Sequence, residues 1–267
     1  MLTSLIVRVR LTCFIETKKC EGNTIDSQAN ITPTEQNNRM RPLVALRALQ
    51  KLVNDPEKTD QVFVIIKAMS GNSHEKTFNR FIKTDIGKRI LSEERNLLSS
   101  LIDRKHLQTH ATGTLGHAYL GFVEREQITA DGLVEASQLD DTVQSPAFRL
   151  FSERMRDQHD LWHVITGYGR DTFGEACLLA FTYAQTRNRG LGIIALVGMI
   201  KIQKELGSGV RKAIWQAYKA GRRAAWLPQQ DWETLLTHPL ESVRQQLGIS
   251  PPEVYQDVFD KYQLANA

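Results

Sequence analysis

The stretch "HDLWHVITGYGRDTFGE", residues 159 to 175, brings two histidines and three acids within a single pair of helix ends. His159 and His163 are four residues apart, so on a helix both rings lie on one side, and at about 100° per residue Asp160 falls within the same broad arc. Glu175 follows after one turn of chain. Imidazoles and carboxylates gathered in an apolar setting are costly unless each finds a partner. A divalent cation would satisfy all four at once, and two nitrogens with two oxygens suit zinc, with manganese or iron also admitted. Spacing alone leaves a second reading open. Thr172 and Glu175 fit a capping box that serves only the helix start, and Asp160 with His163 would make an ordinary buried hydrogen bond.

The elements that must position these groups are legible from the flanking pattern. Ser145 and Pro146 form a helix start, a capping hydroxyl followed by proline in the first turn. From there Phe148, Phe151, Met155, His159, Trp162 and Thr166 follow steps of three and four, which predicts one helix with His159 on its core side. "GYG" at Gly167 to Gly169 ends it. The next helix carries Phe173, Ala176, Cys177, Leu178, Leu179 and Phe181 on nearly every side, so protein must surround it. A short turn makes the two helices antiparallel neighbours, and Glu175 comes back beside the end of the first.

The remainder of the 267-residue chain reads as a single all-α domain over residues 40–267, with residues 1–39 as a mobile tail. "LIVRVRLTCFI" in that tail would make one short strand at most. Helical periods recur at Leu46, Leu49 and Leu52, at Val62, Ile65 and Ile66, at Phe78 and Phe81, and at Leu97 and Leu101, whereas residues 128–144 read as an irregular connection. No strand pair and no internal repeat is evident after residue 40. Cys13, Cys20 and Cys177 form no CxxC pair, which argues against a disulfide framework or zinc ribbon. A formal charge of +4, spread along the chain, gives no sign of nucleic-acid binding. "LGIIALVGMIKI", residues 191–202, is too short to span a bilayer and reads as a core helix or one that dips into a membrane surface.

His159-Asp160-x-x-His163, with Glu175 after eleven further residues, resembles the signature of the coenzyme Q biosynthesis protein family known as Coq-four. "GTLGHAYLGF" at 113–122, "NDPEKTDQVF" at 54–63 and "WETLLTHPLESVRQQLGI" at 232–249 are similar to other segments of that family, so the resemblance runs from Arg41 to Leu264. It implies an all-helical protein peripheral to a membrane, on the cytoplasmic face of a bacterial inner membrane or the matrix face of a mitochondrial one. Also implied are a role in ubiquinone synthesis and in organising partner biosynthetic enzymes, and removal of the ring carboxylate from a polyprenylated hydroxybenzoate precursor. The ligands of the divalent ion, generally zinc, would be His159, Asp160, His163 and Glu175. A non-catalytic scaffold that presents the precursor to partner enzymes is the alternative, and a homodimer is admitted. His117 and Tyr168 are candidate proton donors by their place in the motifs alone.

A prenylated substrate requires an apolar channel and a route to the bilayer. Gly113, Gly116 and Tyr119 combine small and large residues in a way that would leave room for an isoprenoid, with close helix packing as the alternative. Between Lys201 and Arg223 seven basic residues face a single acid, Glu205. Arg211, Trp215, Lys219, Arg222 and Trp226 share a helical stripe, the composition of a surface that contacts anionic lipid, with an ordinary solvated face as the alternative. Two other classes fail on the residues. A metalloprotease of the HExxH type needs Glu where Asp160 stands, and a di-iron bundle needs two Glu-x-x-His motifs.

Overall fold

A computed structural model describes residues 39–54, 60–128 and 145–265. The expected tail (apart from Arg39) and most of the irregular connection lie outside the described residues. Among those residues every regular element is helical, and the nearest approach to a sheet is one isolated bridge between Thr114 and Pro239.

The chain opens with α1 (Pro42–Asn54) and α2 (Asp60–Ser70), which pack on each other. Four short helices follow: α3 (Ser73–Phe81), α4 (Asp85–Ser92), α5 (Leu97–Ile102) and α6 (Arg104–Thr109). Next come α7 (Leu115–Arg125), α8 (Pro146–Asp157) and α9 (His159–Thr166). The second half holds α10 (Thr172–Thr186), α11 (Arg189–Leu206) and α12 (Gly209–Arg223), then the short α13 (Trp232–Leu235), α14 (Leu240–Leu247) and α15 (Glu253–Ala265).

α10 is the centre. Its apolar circumference leaves no solvent face, so α11 and α12 cover it on two sides and its side chains from Phe173 to Phe181 are buried. Each large apolar side chain removed from water there stabilises the fold by about 1.5–3 kcal/mol before chain entropy is counted. α9 lies against α7 and α14, and Arg244 of α14 closes its exposed end by donating to the carbonyls of Ile165 (2.9 Å) and Val164 (3.0 Å). Arg154 on α8 is buried and makes a two-pronged ion pair with Glu233, at 2.6 and 2.7 Å, which ties α8 to α13.

Two sequence expectations change. The single helix from Pro146 is two, α8 and α9, meeting at Gln158. That residue keeps an α-helical backbone, and its buried side chain is engaged by the indole of Trp232 (2.7 Å) and by Met155 (2.9 Å), which fixes the junction. Trp226 does not belong to the basic stripe of α12. The helix ends at Arg223, the next residue turns extended, and Ala225 donates to Leu247, so Trp226 turns inward to 7% exposure with its indole donating to Gln185.

Candidate metal centre

Three of the four expected ligands converge. Potential ligand atoms of His159, His163 and Glu175 all lie within 4.8 Å of one another, drawn from the start of α9, its middle and the first turn of α10. Asp160 stands beside this trio and outside it, with Oδ1 3.6 Å from His159 Nδ1. The histidine rings meet edge to face at 4.9 Å, the arrangement that four-residue spacing on a helix produces.

The orientation of His163 is set by the turn that follows it. Gly167 has φ 75°, a left-handed conformation that costs glycine little, and it caps α9 by donating its amide to His163 O at 2.9 Å. The reversal brings the carbonyl of Tyr168 back over the ring, where it accepts from Nδ1 at 2.9 Å. That bond fixes the tautomer and leaves Nε2 directed at Glu175 Oε1, 3.3 Å away. Phe122 of α7 stacks on the other face of the ring at 5.7 Å. Burial is the strongest influence on His163 and favours its neutral form, yet the negative charge of Glu175 3.3 Å away, with Asp160 and the Tyr168 carbonyl, outweighs it and raises its proton affinity.

The N-cap of α10 is Asp171, whose Oδ1 accepts from the amides of Phe173 (2.9 Å) and Gly174 (3.0 Å), so the cap falls one residue before Thr172 and Gly174 takes the place where a capping box needs Glu or Gln. Tyr255 of α15 completes the turn. Its hydroxyl donates to Asp171 Oδ2 at 2.7 Å and accepts from the Gly169 amide at 3.1 Å. Gly174 sits directly on the backbone of Gly169, where any Cβ would strike main-chain atoms.

The donors suit a divalent cation. Nδ1 of His159 and Nε2 of His163 are buried, and neither makes a hydrogen bond among the described residues. Buried ring nitrogens in that state are costly in an apolar setting and are the atoms a metal would take up. Two histidines and one carboxylate form a donor set known from catalytic zinc, which leaves a coordination position for substrate or water.

The other expected site residues are placed less simply. Gly116 is packed against His110 and the Leu236 carbonyl, Tyr119 is wholly buried, and Gly113 occupies a left-handed turn before α7. Of the proton-donor candidates, Tyr168 contributes its carbonyl, and burial drives its hydroxyl far above the ordinary tyrosine range. His117 is half-buried in the first turn of α7. Trp215 on α12 is 56% exposed, with Lys219 over its ring at 5.5 Å and Arg211 and Arg222 exposed on the same helix. Trp215, Leu196, Met199 and Tyr218 line an apolar groove of about 840 Å³ between α11 and α12. Among the described residues no helix is long and apolar enough to cross a membrane. Sequence reading missed Asp171, Tyr255 and the Tyr168 carbonyl. The extra acid at 171 was the one available signal.

A family model described as coenzyme Q (ubiquinone) biosynthesis protein Coq4 matches residues 30–253. A relative in Podospora anserina, named ubiquinone biosynthesis protein COQ4, mitochondrial, is 30% identical over 173 residues, which are 64% of this chain and 56% of that protein. Its counterpart of the same name in Yarrowia lipolytica is 28% identical over 183 residues, covering 66% of this chain and 67% of its own. The chain thus spans little more than half the length of the first of these. A crystal structure described as a ubiquinone biosynthesis protein from Nostoc punctiforme shares the fold, with a TM-score of 0.57 at 22% identity, over 79% of this chain and 99% of that one.

Proposed function

Because the chain belongs to the Coq4 family of coenzyme Q (ubiquinone) biosynthesis proteins, we propose that it removes the ring carboxylate of a polyprenylated hydroxybenzoate precursor at a divalent metal, most simply zinc. The observation that carries this reading is the convergence of His159, His163 and Glu175 within 4.8 Å, with both histidines presenting buried nitrogens that lack hydrogen bonds among the described residues. A bound divalent ion supplies Lewis acidity toward a carboxylate or ring oxygen. The chain's own groups do the rest. Tyr168 O holds the tautomer of His163, and Phe122 walls one side of the ring against water. In the reaction the bond from ring to carboxylate breaks, its electron pair stays on the ring carbon, a proton takes the vacated place and CO2 leaves. The apolar groove of α11 and α12 would receive the prenyl tail, and exposed Trp215 and Leu196 beside Arg211 would rest on an anionic membrane.

Burial of His163 and Glu175 favours a second reading, a structural ion in a scaffold that presents the precursor to other biosynthetic enzymes. The test is elemental analysis of the parent and of His163→Ala, with CO2 release measured on a short-tailed hydroxybenzoate. Metal and turnover lost together support catalysis. Metal without turnover in the parent supports the scaffold, and no metal in either removes both readings of the cluster.

A further inference from the structure

The strongest unassigned feature is a second cavity, of about 510 Å³, that shares no lining residue with the histidine cluster. Five basic side chains line it, Arg39, Lys76, Arg80, Arg187 and Arg189, and no carboxylate does. The protein treats its other well-placed arginines differently: Arg154 pairs with Glu233, Arg95 with Asp231, Arg156 with Asp157 and Arg244 with Glu241. None of the five around this cavity is paired with an acid among the described residues.

Arg39 lies just ahead of α1, and the other four come from one helix and one turn. Lys76 and Arg80 are one turn apart on α3, and Arg187 and Arg189 flank Asn188 in the turn from α10 to α11. Asn188 Nδ2 donates to Ser70 Oγ at 3.0 Å, while Ser70 gives its own proton to the Ile66 carbonyl at 2.6 Å, so the turn is locked to the end of α2 just before α3. Arg187 adopts φ 60°, a conformation unusual outside glycine, and its side chain lines the cavity and also reaches the Tyr218 hydroxyl. Arg80 lies over the Trp226 ring at 4.0 Å, which fixes its charge in place.

The start of α3 supplies donors as well as charge. The Asn72 side chain makes no capping hydrogen bond, and Ser73 Oγ is buried with no hydrogen bond among the described residues. Helix amides without a cap, an unsatisfied hydroxyl and convergent guanidinium groups are what a phosphate oxygen requires. Met40, Met69 and Trp226 give the cavity one apolar wall, which suits an ester over a bare ion.

We propose that this cavity binds the phosphate group of an organic mono- or diphosphate. The same chemistry is offered by a free phosphate ester and by a phospholipid headgroup. The proposal does not depend on the function assigned to the histidine cluster, and its test does not involve that cluster. The full chain is titrated with inorganic pyrophosphate by calorimetry at low salt, then sedimented with phosphatidylcholine vesicles with and without phosphatidic acid. Three variants accompany it: Arg80→Gln with Arg189→Gln, Lys76→Glu, which leaves the contact with Trp226 intact, and a control, Lys88→Gln with Lys105→Gln, on exposed sites that do not line the cavity.

Saturable pyrophosphate binding weakened tenfold or more by the first two variants and unchanged in the control supports a site open to free phosphate. Binding only to phosphatidic acid vesicles, lost in the same two variants, supports a headgroup site. The proposal is overturned if the parent binds neither probe, or if the control weakens binding as much as the cavity variants do.

Discussion

The Nδ1–H of His163 donates to the backbone carbonyl of Tyr168 at 2.9 Å, across a turn that a left-handed Gly167 makes possible. A main-chain atom therefore chooses which nitrogen of the ring faces Glu175.

Replacing Gly167 with alanine tests that dependence. An added Cβ would lie 3.2 Å from Pro252, and a side chain there is forced into the left-handed region, at a cost of about 1 kcal/mol. The carbonyl should shift with the turn. Zinc affinity, measured by competition with a chromophoric chelator, is expected to fall about tenfold, the lower end for loss of a group that orients a ligand. Unchanged affinity at lowered stability would remove Tyr168 from the account.

Asp171 and Glu175 sit one turn apart on α10 and should separate cleanly. Asp171→Ala loses two amide caps and the Tyr255 hydroxyl, so unfolding free energy in urea should drop by about 2 kcal/mol. Glu175→Gln should lose metal with a much smaller change in stability. If Glu175→Gln proves the more destabilising, the carboxylate serves the helix and not an ion.

His74 predicts a pH dependence. Burial lowers its pKa from the ordinary 6.5 to about 4, while its Nε2 stays within 2.8 Å of the Ser152 hydroxyl and its ring packs on Phe148 and Phe151. Between those values the unfolded chain binds more protons than the folded one. The stability is thus complete above about pH 6.5 and lost as pH falls toward 4, with a decrease of about 2 kcal/mol by about pH 5. His74→Phe should flatten this slope in urea titrations at the two pH values. A slope unchanged in the variant would place its origin elsewhere.

The two tryptophans once read as one stripe should behave oppositely. Trp215→Ser is expected to leave the thermal midpoint nearly unchanged and to reduce sedimentation with anionic vesicles several-fold. Trp226→Ala should cost about 3 kcal/mol or more, because it empties a buried site and removes the indole donor to Gln185. Equal vesicle binding by Trp215→Ser and the parent would separate this face from the membrane.

The parts of the site that were legible in sequence are those governed by a local period. His159 and His163 share a face because four residues make about one turn, and Glu175 returns because only a short turn intervenes. Asp160 is the limit of that reasoning. A helical arc wide enough to include it did not bring its oxygens into the group formed by the other three. Trp226 shows a second limit, since counting by threes and fours carries on past Arg223 where the backbone does not. Tyr255 is invisible for another reason: it reaches Asp171 across 84 positions, and no local pattern encodes such a contact. The same holds for the basic cavity, whose members come from the stretch ahead of α1, from α3 and from a turn more than a hundred residues later.

The contact of Gly174 with Gly169 ties the spacing of the ligands to bare backbone. Glu175 follows immediately in chain, so its distance from α9 is gauged by two peptide units and not by the bulk of neighbouring side chains. A methyl added at Gly174 would strike that backbone, and one at Gly169 would strike the Asp171 carboxylate and the Tyr255 hydroxyl that hold the same turn. A single backbone contact thus sets the reach of one ligand toward the other two.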